Sequence, residues 1–100
     1  MVKEVVWTIR AAKTYWQIIS YLQEEFGEPS VIEFVNTVNN KIELIISNPY
    51  LFRKSIIQRN IFLTGVHKRT TLVYRYQPIK KVVQLLVFWN TKMNPQNFKF

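Results

Sequence analysis

Four cations and one imidazole are the side chains here best suited to meet a phosphate: Lys54, Arg59, Arg69 and Arg75, with His67 the only histidine. To cleave RNA through attack of its own 2′-hydroxyl, a protein needs a base near that oxygen, a cation facing the scissile phosphate and an acid for the departing oxygen. Cations are plentiful, but the acid/base group has one imidazole candidate. His67 lies beside Gly65 in a stretch that reads as a turn, where a solvated histidine without a task is the commoner occurrence. No His or Tyr follows Tyr76. Arg75 alternates with Thr71 and Val73, away from Tyr74 and Tyr76, so it is either phosphate-facing or a sheet-surface arginine anchored by an aromatic neighbour. Other chemistries lack their residues. Glu24 and Glu25 are adjacent and point in different directions on a helix, which excludes a carboxylate pair for glycoside chemistry. The two glycines lie too far apart for a phosphate loop, and there is no cysteine.

A second grouping is aromatic and basic. Phe88, Trp89, Tyr74 and Tyr76 interleave with Lys68, Arg75 and Lys92, a mixture that single-stranded nucleic-acid binders use for base stacking and backbone contact. Core packing accounts for most of these rings more simply; Trp89 and the tail residues Phe98 and Phe100 are the ones that exceed it, and a partner or a dimer contact is what would cover them. Lys54, Arg59, Lys68, Arg69, Arg75, Trp89 and Lys92 are therefore the candidate target- or nucleic-acid-binding residues, and Arg59, Arg69, Arg75 and His67 the set a nuclease would use.

Charge separates the two halves of the chain. All six carboxylates lie within the first 43 residues, whereas Leu44 to Phe100 carries ten Lys and Arg and no acid; the net charge is +8 over 100 residues. A field of one sign draws nucleic acid, an acidic protein or an anionic surface, while surfaces that serve solubility alone usually mix signs. Length and the scarcity of glycine indicate one domain spanning 1–100. The absence of cysteine fits a reducing compartment. No secretion-signal pattern follows Met1, and the longest apolar run, Leu85–Trp89, is far below the roughly 18 residues of a membrane span. The expectation is a cytoplasmic protein without membrane contact, metal or cofactor.

The elements that must position these residues follow from periodicity. Glu4 to Ile9 is β-branched and aromatic and predicts a strand, after which Thr8 can cap a helix whose apolar stripe is Ala12, Tyr15, Trp16, Ile19, Leu22 and Phe26. Gly27-Glu28-Pro29 ends it. Ser30 and Glu33 have capping-box spacing, and the stripe Val31, Phe34, Val35, Val38, Ile42, Ile45 predicts a second helix ended by Asn48-Pro49. Beyond Pro49, Ile56–Leu63, Arg69–Gln77 and Lys81–Trp89 read as strands, with turns at Gly65 and Pro78-Ile79-Lys80. The last is apolar on both faces, as in a sheet interior or at a partner contact. The fold expected is α+β: an N-terminal strand, an antiparallel helical hairpin, then a three-stranded antiparallel meander with the helices on one face of the sheet.

This order resembles the RelE/ParE toxin superfamily. The resemblance rests on the second-helix spacing Val31, Phe34, Val38, Ile42, Ile45 and Pro49, on Leu63-Thr64, on Leu72-Val73-Tyr74-Arg75, and on Phe88-Trp89-Asn90-Thr91-Lys92-Met93-Asn94-Pro95. Family members often have Asp and Arg where Asn90 and Lys92 stand. The resemblance implies one half of a type II toxin-antitoxin pair, held silent by an antitoxin whose acidic segment orders as it binds, with Lys68-Arg69 and Lys80-Lys81 as docking cations; these runs also suit plain solvation. RelE-like members cut mRNA in the ribosome, whereas ParE-like members are associated with inhibition of DNA gyrase. The nuclease branch often carries Arg two places before the Val-Tyr of its third strand, where Thr71 stands here, and tends to place a His or Tyr late in the chain, where none occurs. The expectation is therefore the ParE-like branch, acting by binding, with an mRNA endonuclease as the alternative and a non-toxic nucleic-acid-binding member as a third reading. A homodimer and a toxin-antitoxin hetero-oligomer are both open.

Overall fold

A computed structural model describes residues 2–91, in the order β1 (Glu4–Trp7), α1 (Ile9–Phe26), α2 (Glu28–Ser47), β2 (Arg53–Lys54), β3 (Ile61–His67), β4 (Thr70–Gln77) and β5 (Val82–Asn90). The expected α+β arrangement is observed, with a helical hairpin on one face of the sheet. The strands form one sheet in the order β1-β5-β4-β3-β2; β3, β4 and β5 are the antiparallel meander, and β1 runs parallel to β5. Because β1 and β2 form opposite edges of the sheet, the hairpin that joins them must cross one face.

Thr8 joins strand to helix. Its Oγ1 accepts from Ala11 N–H at the start of α1 and donates to Leu85 O, 2.8 Å away in β5. Beyond Trp7, β5 has lost its β1 neighbour, and Thr14 Oγ1 accepts the Phe88 N–H at 3.0 Å. Gly27, at φ +86°, ends α1 and starts α2, donating its N–H to Leu22 O and Gln23 O. A residue with a Cβ would be strained at that φ, so glycine sets the angle of the hairpin.

The main core lies between helices and sheet: Ala11, Ile18 and Leu22 of α1, Phe34, Val38 and Ile45 of α2, and Phe62, Leu72, Tyr74, Val83, Leu85 and Phe88 of the strands. Tyr74 is fully buried, stacks on Phe62 with ring centroids 5.3 Å apart, and donates its hydroxyl to Pro49 O at 2.8 Å, fastening the end of α2 to β4.

Burial holds the Tyr74 phenol above its ordinary value near 10, which makes a measurable prediction. A pKa raised by folding gives stability that is present below the unfolded value and lost as pH rises toward the folded one. Near neutrality Tyr74→Phe should be the less stable protein by about 1–3 kcal/mol, because the Pro49 carbonyl loses its donor. Above about pH 10 the gap should close by about 1.4 kcal/mol per pH unit. Urea unfolding of both proteins between pH 7 and 11 measures it; a constant gap would contradict the burial argument.

Several local expectations are corrected. The first helix begins at Ile9 and buries Ala11, Ile18 and Leu22; of the predicted stripe Leu22 is buried, Tyr15 and Ile19 pack partly buried against the core, and Trp16 and Phe26 are exposed. The second helix begins at Glu28 without a side-chain cap, because Pro29 already suits a first turn; Ser30 and Glu33 lie inside the helix rather than forming a capping box. Ile56 and Ile57 lie in a loop, where Ser55 Oγ takes the Ile57 and Gln58 N–H groups that a strand would have used. Gly65 is within β3 at an irregularity of the ladder, and the turn falls instead at Lys68-Arg69. The β4 and β5 strands start at Thr70 and Val82 because Arg69 and Lys81 adopt φ near +60°, outside extended backbone.

Candidate functional site

The strands divide the predicted cations between two ends and two faces of the sheet. Arg59 is exposed in the loop before β3, and Arg75 lies in register with Ile61 at that same end. His67, Lys68 and Arg69 lie at the other end of β3, roughly 20 Å away at the rise of a strand. The faces differ as well. Arg75 shares the face opposite the helices with Thr71 and Val73, whereas His67 packs toward α2, with Nε2 3.3 Å from Glu33 Oε1 and its ring edge-on to Phe34. Arg75 and His67 therefore cannot meet one phosphate. Lys54 is exposed on the two-residue strand β2, and Lys92, Phe98 and Phe100 lie outside the described residues.

On the face opposite the helices, Ile61, Val73 and Val87 are fully buried, and Leu63, Leu86 and Trp89 pack around them. Arg75 is half-buried between Ile61 and Gln84 in the ladder. Its backbone position agrees with the strand periodicity; Trp89 belongs to this apolar cluster.

A cleft of about 490 Å³ opens at the other end, between the helical turn and the β3–β4 turn. Tyr21, Leu22 and Phe26 give it an apolar wall from α1, Ser30 and Glu33 come from α2, His67, Lys68 and Arg69 from the sheet turn, and Asn90 from the end of β5. The β3–β4 turn is held in place from below: Thr91 N–H donates to Arg69 O at 2.9 Å, and the buried Asn90 side chain donates to Thr70 Oγ1 at 2.7 Å. Lys68 and Arg69 are exposed at the rim, where Glu33 is the single carboxylate. This arrangement takes an apolar side chain against the α1 wall and carboxylates at the Lys68-Arg69 rim.

Sequence reasoning placed Lys68, Arg69 and His67 but not the cleft. Phe26 looked like core and Glu33 like a helix cap; Phe26 is exposed at the end of α1, and Glu33 lies inside α2 because that helix begins at Glu28, so both line this opening. Only the contrast between a helix stripe running to the end of α1 and the basic turn across the sheet could have signalled it.

No protein-family model matches the sequence, and no curated protein does. Solved structures do. The chain is similar to a protein of the chromosomal ParDE TA system from P. aeruginosa, with TM-score 0.70, 16% identity and coverage of 90% of this chain and 96% of that one. It is similar to a YoeB/ParE toxin from Agrobacterium tumefaciens, with TM-score 0.62, 13% identity and coverage of 87% and 96%. A YoeB-YefM complex from Staphylococcus aureus contains a third similar chain, with TM-score 0.57, 12% identity and coverage of 89% and 95%.

Proposed function

We propose that this chain, which has the fold of RelE/ParE-type toxins, is the toxin of a type II toxin-antitoxin pair and acts by gripping a macromolecule rather than by cutting one. The observation that carries the second half is the separation of Arg59 and Arg75 from His67 and Arg69 by the length and by the faces of the sheet. A phosphodiesterase needs its cation and its acid/base group within hydrogen-bond reach of the same few atoms. Here the one imidazole is turned toward a helix. DNA gyrase is the target class that the ParE-like reading names, and mRNA on the ribosome the one it opposes.

The cleft is the antitoxin's place in this reading. A segment that is acidic and punctuated by apolar residues complements an apolar wall with a cationic rim, and a disordered segment that folds on binding suits a preformed groove. Among the described residues no helix is long and apolar enough to cross a membrane, and the reading places the protein in the cytoplasm.

Induced expression tests the mechanism. Growth should stop while messages on translating ribosomes stay full-length by primer extension. Cuts appearing within ribosome-bound message soon after induction would replace this reading with the endonuclease one.

A further inference from the structure

The end of the sheet farthest from the cleft carries three of the four most exposed aliphatic side chains among the described residues, the fourth being Ile9 at the start of α1, 88% exposed. Ile56 is 100% exposed, Ile79 96% and Ile57 84%. They sit on two loops at one end: residues 55–60 lead into β3, and residues 78–81 join β4 to β5. The two loops meet at the sheet, where Tyr76 N–H donates to Asn60 O at 3.0 Å immediately before the second loop begins. Tyr50, 56% exposed, packs edge-on against Phe62 and Tyr76 at the same end.

The isoleucine loop is built rather than slack. Ser55 Oγ accepts from Ile57 N–H at 3.1 Å and from Gln58 N–H at 3.2 Å, Ser55 N–H donates to Ile61 O at 2.7 Å, and Asn60 closes the loop at φ +61°. A loop held by these three hydrogen bonds and by the Tyr76 N–H bond to Asn60 O presents its side chains in advance of binding, which lowers the ordering cost of an interface. Exposed apolar clusters on a soluble surface mark contact sites. Arg53, Arg59, Lys80 and Lys81 are exposed around this one, and the nearest carboxylates in the topology, Glu4 and Glu43, belong to β1 and to the penultimate turn of α2.

We propose that this loop end is the surface with which the chain grips its target, and that the target presents there a protein surface: apolar recesses for Ile56, Ile57 and Ile79 with carboxylates around them. The inference rests on the reading that the chain acts by binding, and it assigns target and antitoxin to opposite ends of the molecule. Nucleic acid is the poorer match, because it is held by cations and by rings that stack on bases, and three aliphatic side chains supply neither. An anionic membrane would accept both isoleucines and lysines, but tyrosine and arginine beside the apolar crest are the composition of protein interfaces.

The test is the triple variant Ile56→Ser, Ile57→Ser, Ile79→Ser, expressed from a controlled promoter beside the wild type and beside Trp16→Ser. Trp16 is 63% exposed on α1, so that variant removes apolar surface elsewhere. The expected result is arrest by the wild type and by Trp16→Ser, with the triple variant recovering colony formation by on the order of 100-fold, the loss typical of removing interface anchors. Its thermal melt should match the wild type, since the three side chains touch solvent. Arrest by the triple variant equal to that of the wild type overturns the inference and leaves the toxin reading standing. Absence of arrest by the wild type overturns both. Wild-type protein that floats with phosphatidylglycerol vesicles, and a triple variant that does not, would reassign the surface to lipid and overturn the proposed partner.

Discussion

Phe34→Ala is expected to cost about 3–5 kcal/mol of folding stability, the range for a buried phenylalanine whose cavity cannot collapse. Phe34 is fully buried, and its ring touches every layer: Tyr15 of α1 at 5.5 Å, Phe88 of β5 at 6.3 Å and His67 of β3 at 6.0 Å between centroids. Neither helix nor sheet can shift far to fill the space, because Thr8 and Thr14 fasten α1 to β5 and Tyr74 fastens the end of α2 to β4. For a domain of this size, 1 kcal/mol moves the melting temperature by about 4–8 °C. The variant should thus melt at least 12 °C lower, or fail to fold where total stability is near the bottom of the usual 5–15 kcal/mol. Trp16→Ala, on the exposed side of α1, should move it by little. Equal shifts for the two in a thermal scan would place the core elsewhere.

The contrast between Phe34 and Trp16 also marks how far the sequence could be read. Both are aromatic, both lie on apolar stripes at helical spacing, and periodicity alone ranks them together. In the longer stripe of α2 the spacing of Phe34, Val38 and Ile45 leaves one face consistent, and those residues are the buried ones. In α1 nearly every turn offers two apolar choices, and Ala11, the residue that lets the helix approach the sheet, is too small to stand out. Element order, the alternation in β4 and the doubly apolar β5 were legible because each depends on local pattern over many residues. The turns at Gly27-Glu28-Pro29 and Pro78-Ile79-Lys80 were legible too, but the loop before β3 and the place of the β3–β4 turn were not. Ser55 intercepting two N–H groups and positive φ at Asn60, Arg69 and Lys81 are decided by a few atoms, and none of the latter three is glycine.

The candidate sites were less legible than the fold for a related reason. One-sided charge said that the C-terminal half meets something anionic, but its eight described cations are one group in sequence and two in space. Strand length carries Arg69 away from Arg59, and pleat direction turns Arg75 from His67. Only pairing in register shows which cations share a neighbourhood, and the apolar residues that give each end its character, Phe26 in one case and Ile56 and Ile79 in the other, come from elements that look unrelated in sequence.

Reversing charge at the cleft should uncouple silencing from toxicity. Lys68→Glu with Arg69→Glu changes the rim from two cations against Glu33 to three carboxylates, while the apolar wall of Tyr21, Leu22 and Phe26 is untouched. Both residues are exposed, and glutamate meets the same backbone cost as arginine at the positive φ of position 69, so the fold should be unaffected. An acidic antitoxin segment would then face like charge where it had complementary charge, and its affinity should fall by about 100- to 1,000-fold, or about 3–4 kcal/mol. In cells carrying both partners the double variant should arrest growth that the wild-type pair permits, and in pull-downs the antitoxin should no longer co-purify. Toxicity of the double variant expressed alone should stay at the wild-type level, because the loops bearing Ile56, Ile57 and Ile79 are at the other end of the strands. Loss of toxicity together with loss of antitoxin binding would mean that one surface serves both partners, and the two-ended arrangement would have to be abandoned. Retention of both would remove the cleft from the account, since an apolar wall alone would then be enough to hold an antitoxin against three negative charges.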